Sequence, residues 1–126
     1  MVTDTDGKML AVRKKNSIYF QMVGGKREKD EELLDTLRRE FLEEINVDIL
    51  AHEVSFLGKH DTLAVNEENT KVHANVFHVK LNSVEAIKIA SEIDEMAWIT
   101  KETYSDYKLA HLLEEFRLPI WLEMEF

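Results

Sequence analysis

Leu33, Leu34, Leu37, Phe41 and Ile45 recur at steps of three and four residues. At 3.6 residues per turn these positions share one side of a helix, and that stripe must be buried against another element. The pattern predicts a helix from about Asp30 to Ile45. Asp30, Glu31 and Glu32 in its first turn would suit the positive end of the helix dipole. Asn46 can take the left-handed conformation that ends such a helix.

The stripe needs a sheet to cover, and short β-prone runs supply one. Asp4-Thr5-Asp6-Gly7 is a hairpin turn between Val2-Thr3 and the run from Lys8 to Arg13, because Gly accepts positive φ. Only three residues precede that turn, which is short for a strand. Ile18 to Val23 reads as a buried strand closed by Gly24-Gly25, and Val54–Gly58, Val72–Leu81 and Ile93–Ile99 as three more. Asp61 to Thr70 is polar and reads as a loop. Ser105 is placed to cap a second helix carrying Leu109, Leu112, Leu113 and Phe116, with Pro119 breaking it. Strands, helix, strands and helix in that order predict an α/β (α+β) fold, a mixed sheet with helices on its faces. With 126 residues, 44% of them apolar, one domain spanning residues 1–126 is expected.

Charge and composition exclude several function classes. There is no Cys, so disulfide frameworks, thiolate zinc sites and cysteine nucleophiles are ruled out. The 25 acidic and 16 basic side chains leave a net charge of -9, which argues against nucleic-acid polymers and polybasic membrane contacts. No apolar run approaches the ~20 residues of a spanning helix, and Met1-Val2-Thr3-Asp4 does not open a basic-then-apolar leader. A cytoplasmic domain is the expectation. The histidines lack a zinc-ligand pattern: His73 and His78 are expected on the surface or in hydrogen bonds. The apolar tail from Ile120 to Phe126 suits the core or a homodimer contact, and the core is preferred.

One local rule is broken. Glu40, Glu43 and Glu44 crowd the last turns of the first helix, at the negative end of its dipole. Like charges at three- and four-residue steps are each unfavourable by roughly 0.2–0.5 kcal/mol, and anions at a helix C-terminus by roughly 0.3–1 kcal/mol. A helix selected for stability alone would carry Lys or Arg there. A solvated acidic face, partly neutralised by Arg39, is one reading. A site for a hard divalent cation is the other.

The flanking residues decide between them. Gly25, five residues, Glu31, seven residues, then Arg39-Glu40-Phe41-Leu42-Glu43-Glu44-Ile45-Asn46-Val47 resembles the Nudix box, Gly-x5-Glu-x7-Arg-Glu-U-x-Glu-Glu-x-Gly-U, where U is bulky and apolar. Every fixed position is present except the last Gly, which is Asn46. Coincidence at this composition is on the order of 10⁻⁵ over the chain. The entry Tyr19-Phe20-Gln21-Met22-Val23-Gly24-Gly25-Lys26 is similar to the family's Pro-Gly-Gly-Lys run, with Val23 where Pro is usual. Glu92-Ile93-Asp94-Glu95-Met96-Ala97-Trp98 resembles its later acidic segment. Neither departure removes a carboxylate.

The resemblance implies a Nudix-type α/β/α sandwich and hydrolysis of the diphosphate linkage of a small nucleotide, with Mg²⁺ or Mn²⁺ as cofactor. Glu40, Glu43 and Glu44 would be the metal-binding and catalytic carboxylates, with the Gly25 carbonyl as a further ligand. Glu31 and Arg39 would hold loop and helix together. Glu92 is the distal candidate for the general base, ahead of Glu95, Glu67 and Glu68; Glu40 and Glu44 are the candidates within the box. Arg13, Lys26 and Gly24 would contact phosphate, and Tyr19, Phe20, Phe77 or Trp98 could stack on a base. Nucleoside triphosphates, ADP-ribose-type dinucleotides and sugar nucleotides all stay open, as does a nucleotide-binding module without turnover.

Overall fold

The computed structural model describes residues 1–25, 27–63 and 71–123; for residues 71, 72, 116–118, 120 and 123 it describes the backbone alone. Lys26, the segment 64–70 with Glu67 and Glu68, and the last three residues of the tail lie outside the described residues.

Five strands form one mixed sheet in the order β3-β4-β1-β2-β5. They are β1 (Val2–Thr3), β2 (Met9–Lys14), β3 (Glu53–Leu63), β4 (Lys71–Lys80) and β5 (Ile93–Ile99). The Asp4–Gly7 turn brings Val2 opposite Leu10, with Gly7 at φ 82 as the turn requires. β1 runs parallel to β4, Val2 facing Val79, while β2 is antiparallel to β5 and β3 to β4.

Alternation along β2 explains the layering, because successive side chains point to opposite faces. Met9, Leu10, Ala11 and Val12 are all fully buried. Leu10 and Val12 pack with Phe41 and Ile45 of the helix α1 (Leu33–Ile45). Met9 and Ala11 pack on the other face with Leu109, Leu113 and Trp121. A sheet covered on both faces is the expected sandwich. The second cover is a π-helical turn, Leu113–Arg117, running into α2 (Leu118–Glu123). Trp121 is fully buried there and its indole N–H donates to the Gly7 carbonyl at 2.9 Å, in keeping with a core role for that part of the tail. Among the described residues no helix is long and apolar enough to cross a membrane.

Several expectations need correction: Pro119 lies inside α2 rather than breaking a helix, Leu34 of the apolar stripe is 53% exposed, and four further readings change. The stretch from Ile18 to Val23 is not a strand. Only Gln21, bridged to Val12, and Phe20, bridged to Leu109, pair at all. Asn16 at φ 67 and the Ser17 hydroxyl accepting from the Tyr19 amide at 3.1 Å set a local turn instead, leaving Ile18 60% exposed. α1 starts at Leu33, the first residue of its stripe and three residues after the expected start at Asp30, since Asp30 sits at φ 65 and cannot continue a helix. Asp30, Glu31 and Glu32 therefore precede the first turn rather than forming it. Ser105 caps nothing: it lies in a 3-10 turn, Tyr104–Asp106, and the chain stays extended to Leu109 to bridge Phe20. Finally, β3 runs on through Asp61 and Thr62 to Leu63, so the start of the expected loop is strand. A bulge between Phe56 and Gly58 shifts the register there. Beyond it the ribbon carries polar residues on both faces, which is why its sequence reads as a loop.

Candidate active site

Two glycines and the end of α1 build the site. Gly24, at φ 154, turns its N–H toward Oε2 of Glu44 at 2.8 Å. Gly25 follows, and a side chain added there would overlap the carboxylate of Glu40. This close approach is a physical reason for glycine at the head of the box. Asn46 at φ 60, ψ 32 ends α1 in the left-handed conformation, as expected from the sequence.

Glu44 is fully buried. Its Oε1 lies 3.5 Å from Nζ of Lys14 and has no hydrogen-bond partner among the described residues. Burial pushes its carboxyl up to about 7; the Lys14 ammonium and the Gly24 N–H act against this, and neighbouring Glu40 adds to it. A desolvated carboxylate oxygen without a hydrogen bond is costly unless a cation meets it.

The other end of the box is electrostatically the reverse. Arg39 grips Glu31 with two parallel bonds, Nε to Oε2 at 2.8 Å and Nη2 to Oε1 at 3.0 Å. Glu31 also accepts from the Thr36 hydroxyl at 2.7 Å and the Glu28 amide at 3.0 Å. The Arg39 guanidinium first, then these donors, hold the Glu31 carboxyl down at about 2. Arg39 reaches on to Glu40 at 2.7 Å and Glu43 at 3.4 Å, and its own pKa is raised by Glu31.

The expected metal ligands are thus brought together in part. Glu40 rests against Gly25 and close to Glu44, whereas Glu43 is 55% exposed and turned to Arg39. Among the described residues no three carboxylates or imidazoles converge as a ready-made metal cage. The donor set still fits a hard divalent cation: oxygen ligands, a surplus of negative charge, and one buried oxygen lacking a hydrogen bond.

The remaining candidates fall at different distances from this centre. Arg13 donates to Asp94 at 2.7 Å, Glu95 at 3.3 Å and the Ser17 carbonyl at 3.0 Å, so its guanidinium is committed to β5. Glu92 is exposed at the entry to β5, with its carbonyl accepting from the Lys15 amide at 3.0 Å. A cleft of about 620 Å³ is lined by Lys14, Gly24 and Gly25, the residues that touch the carboxylates, and by Asn75, Phe77 and His111; Glu40, Glu43 and Glu44 themselves lie behind that wall and do not line it. Of the four aromatics considered for stacking, only Phe77 lines it. Asn75 and His111 had no signal in the sequence, because β4 and the start of the last helix meet there only through the topology. His73 and His78 are hydrogen-bonded, to Asp61 at 2.7 Å and Thr3 at 2.8 Å.

Comparison with known proteins follows this geometry. The family model described as NUDIX domain matches residues 1–118. No curated protein matches the chain. Among solved structures it is similar to the E. coli dihydroneopterin triphosphate pyrophosphohydrolase, at 16% identity over 85% of this chain and 81% of that one, with a TM-score of 0.66. It is also similar to a MutT protein from Methanosarcina mazei Go1, at 24% identity over 82% and 74%, TM-score 0.64. A third is the NUDIX domain of Shewanella oneidensis NrtR complexed with ADP ribose, at 16% identity over 88% and 75%, TM-score 0.69. With the family model spanning the whole sheet and helix α1, the chain belongs to the Nudix family of hydrolases, which act on phosphorus-containing acid anhydrides.

Proposed function

We propose that the protein is a Mg²⁺- or Mn²⁺-dependent pyrophosphohydrolase that cleaves the diphosphate linkage of a small nucleotide by attack of water on phosphorus. The observation that carries this reading is Glu44: a fully buried carboxylate, fixed by the Gly24 N–H, with its second oxygen lacking a hydrogen bond and facing Lys14, the two neighbours that line an open cleft. Glu40, Glu43 and Glu44, with the Gly25 carbonyl, would hold the ion. A divalent cation supplies charge neutralisation at the phosphate oxygens and acidifies water at neutral pH. The chain's own part is positioning. Gly24 orients Glu44, Gly25 admits Glu40, and Arg39 with Glu31 keeps the loop against the helix. Lys14, on the cleft wall, offers a cation to substrate phosphate, and Glu40, Glu44 or Glu92 would accept the proton from water.

The substrate is read as a compact nucleotide, a nucleoside triphosphate or a nucleoside diphosphate derivative. Solved relatives named for dihydroneopterin triphosphate and Ap4A, and one holding ADP ribose, support a diphosphate-bearing ligand of this class. An acidic, cysteine-free chain suits work in the cytoplasm on a free small molecule. The test is phosphate release from nucleoside triphosphates, dinucleotides and nucleotide sugars, with and without Mg²⁺ or Mn²⁺. Metal-dependent release from one class is the expected result. Binding without release across the whole panel would replace hydrolysis with nucleotide binding alone.

A further inference from the structure

The departure of the box from its family pattern has a structural counterpart. The segment between β4 and β5 runs along the end of α1 and meets it three times. The Ala90 amide donates to the Glu44 carbonyl at 2.9 Å, and the Lys88 amide to the Ile45 carbonyl at 3.0 Å. Nδ2 of Asn46 then donates to the Ala86 carbonyl at 3.2 Å. Consecutive residues 44, 45 and 46 thus pair with alternate residues 90, 88 and 86, as three rungs of a ladder between a helix end and the connecting strap. Two rungs occupy helix carbonyls that have no partner within the helix. The third exists only because position 46 carries a side chain with an N–H to give.

The same strap continues through Glu92, whose carbonyl takes the Lys15 amide, into β5, where Ile93 lies opposite Lys14. Lys14 is the residue whose ammonium faces Glu44. Glu44 is therefore held at three points: its carbonyl by the strap, one carboxylate oxygen by Gly24, and the other facing a lysine on the strand next to the strap's exit.

We propose that Asn46 is a positioning residue for Glu44, tying the 84–90 strap to the end of the box helix through its side-chain amide, a tie that glycine at this position cannot make. The inference rests on the proposed role of Glu44 and assigns Asn46 no contact with substrate. Its sharpest consequence is that restoring the family residue should do harm. Asn46→Gly keeps the left-handed backbone at least as readily, so a position serving only to end the helix would be unaffected or improved. Asn46→Asp retains the conformation and the size but cannot donate to the Ala86 carbonyl.

The experiment measures amide hydrogen exchange at Lys88 and Ala90 together with Mn²⁺ titration of the whole protein, for wild type and both variants. The expected result is exchange faster by about fivefold at both amides, the factor one hydrogen bond supplies, with β2 amides unchanged. Mn²⁺ binding should weaken by about tenfold, as for other residues that orient ligands. Wild-type exchange and Mn²⁺ affinity in Asn46→Gly would overturn the proposal. Faster exchange in Asn46→Gly that is matched at the β2 amides would also overturn it, as a general loss of stability. If wild type takes up no Mn²⁺, the proposed metal-binding role of Glu44 fails by itself, and the exchange rates alone still decide whether Asn46 makes the tie.

Discussion

Glu31 and Glu44 belong to the same motif and have opposite electrostatic fates. Glu31 is part-buried just before the helix, receives a forked guanidinium and two further donors, and is held near 2. Glu44 is sealed in the core side of the helix, has one amide and a lysine ammonium at 3.5 Å, and is pushed up to about 7 by burial. One carboxylate is satisfied by the chain and the other is left short. A motif conventionally read as a row of acids thus contains a staple and a desolvated acid, two different physical jobs.

The largest expected effect tests the unsatisfied member. Glu44→Gln should lower metal-dependent phosphate release by about 10²–10³-fold, the scale of losing one charge-stabilising group. Its melting temperature without metal should hold or rise, since a buried charge is removed. A variant with unchanged turnover would take Glu44 out of the mechanism. Gly25→Ala comes next: its methyl group would displace the Glu40 carboxylate, and turnover should fall by up to about 100-fold. Circular dichroism should still report a folded chain.

The satisfied member should behave differently. Glu31→Gln removes half of the fork to Arg39 and should lower the melting temperature by a few degrees, while turnover changes only a few-fold. If turnover collapsed as in Glu44→Gln, the contrast between staple and ligand would be lost. The smallest effect lies in pH. The folded pKa of Glu44 exceeds its ordinary 4.5, so the folded state holds the proton more tightly and metal-free stability should fall as pH rises from 4.5 to about 7. The folded pKa of Glu31 is depressed, so its contribution is present above 4.5 and lost as pH falls toward 2. Thermal melts should therefore peak near pH 4.5 to 5 without metal, and added Mg²⁺ or Mn²⁺ should abolish the decline on the neutral side.

The sequence carried the strand β5, the hairpin turn at Gly7, the end of α1 at Asn46 and the two-faced sheet, because periodicity and turn chemistry are local signals. It misled where tertiary contacts overrode them. The apolar run at Ile18 to Val23 is shared between Val12 and Leu109 instead of joining one ladder. The polar ribbon at the end of β3 hides its pairing because neither face is deeply buried. For the site, spacing located the box glutamates and glycines. It could not tell that Glu43 faces Arg39 and Glu44 the core, nor that Arg13 is spent on Asp94 and Glu95. Those outcomes depend on which strand passes alongside, and no local pattern encodes that.

The chain holds two tryptophans, and the sandwich has given one to each layer: Trp98 packs with the α1 side and Trp121 with the opposite face. A single-tryptophan variant of each kind would therefore carry its own fluorescent witness to one half of the interior. Following both during denaturation would time whether the half that bears the glutamates loosens before the half that does not.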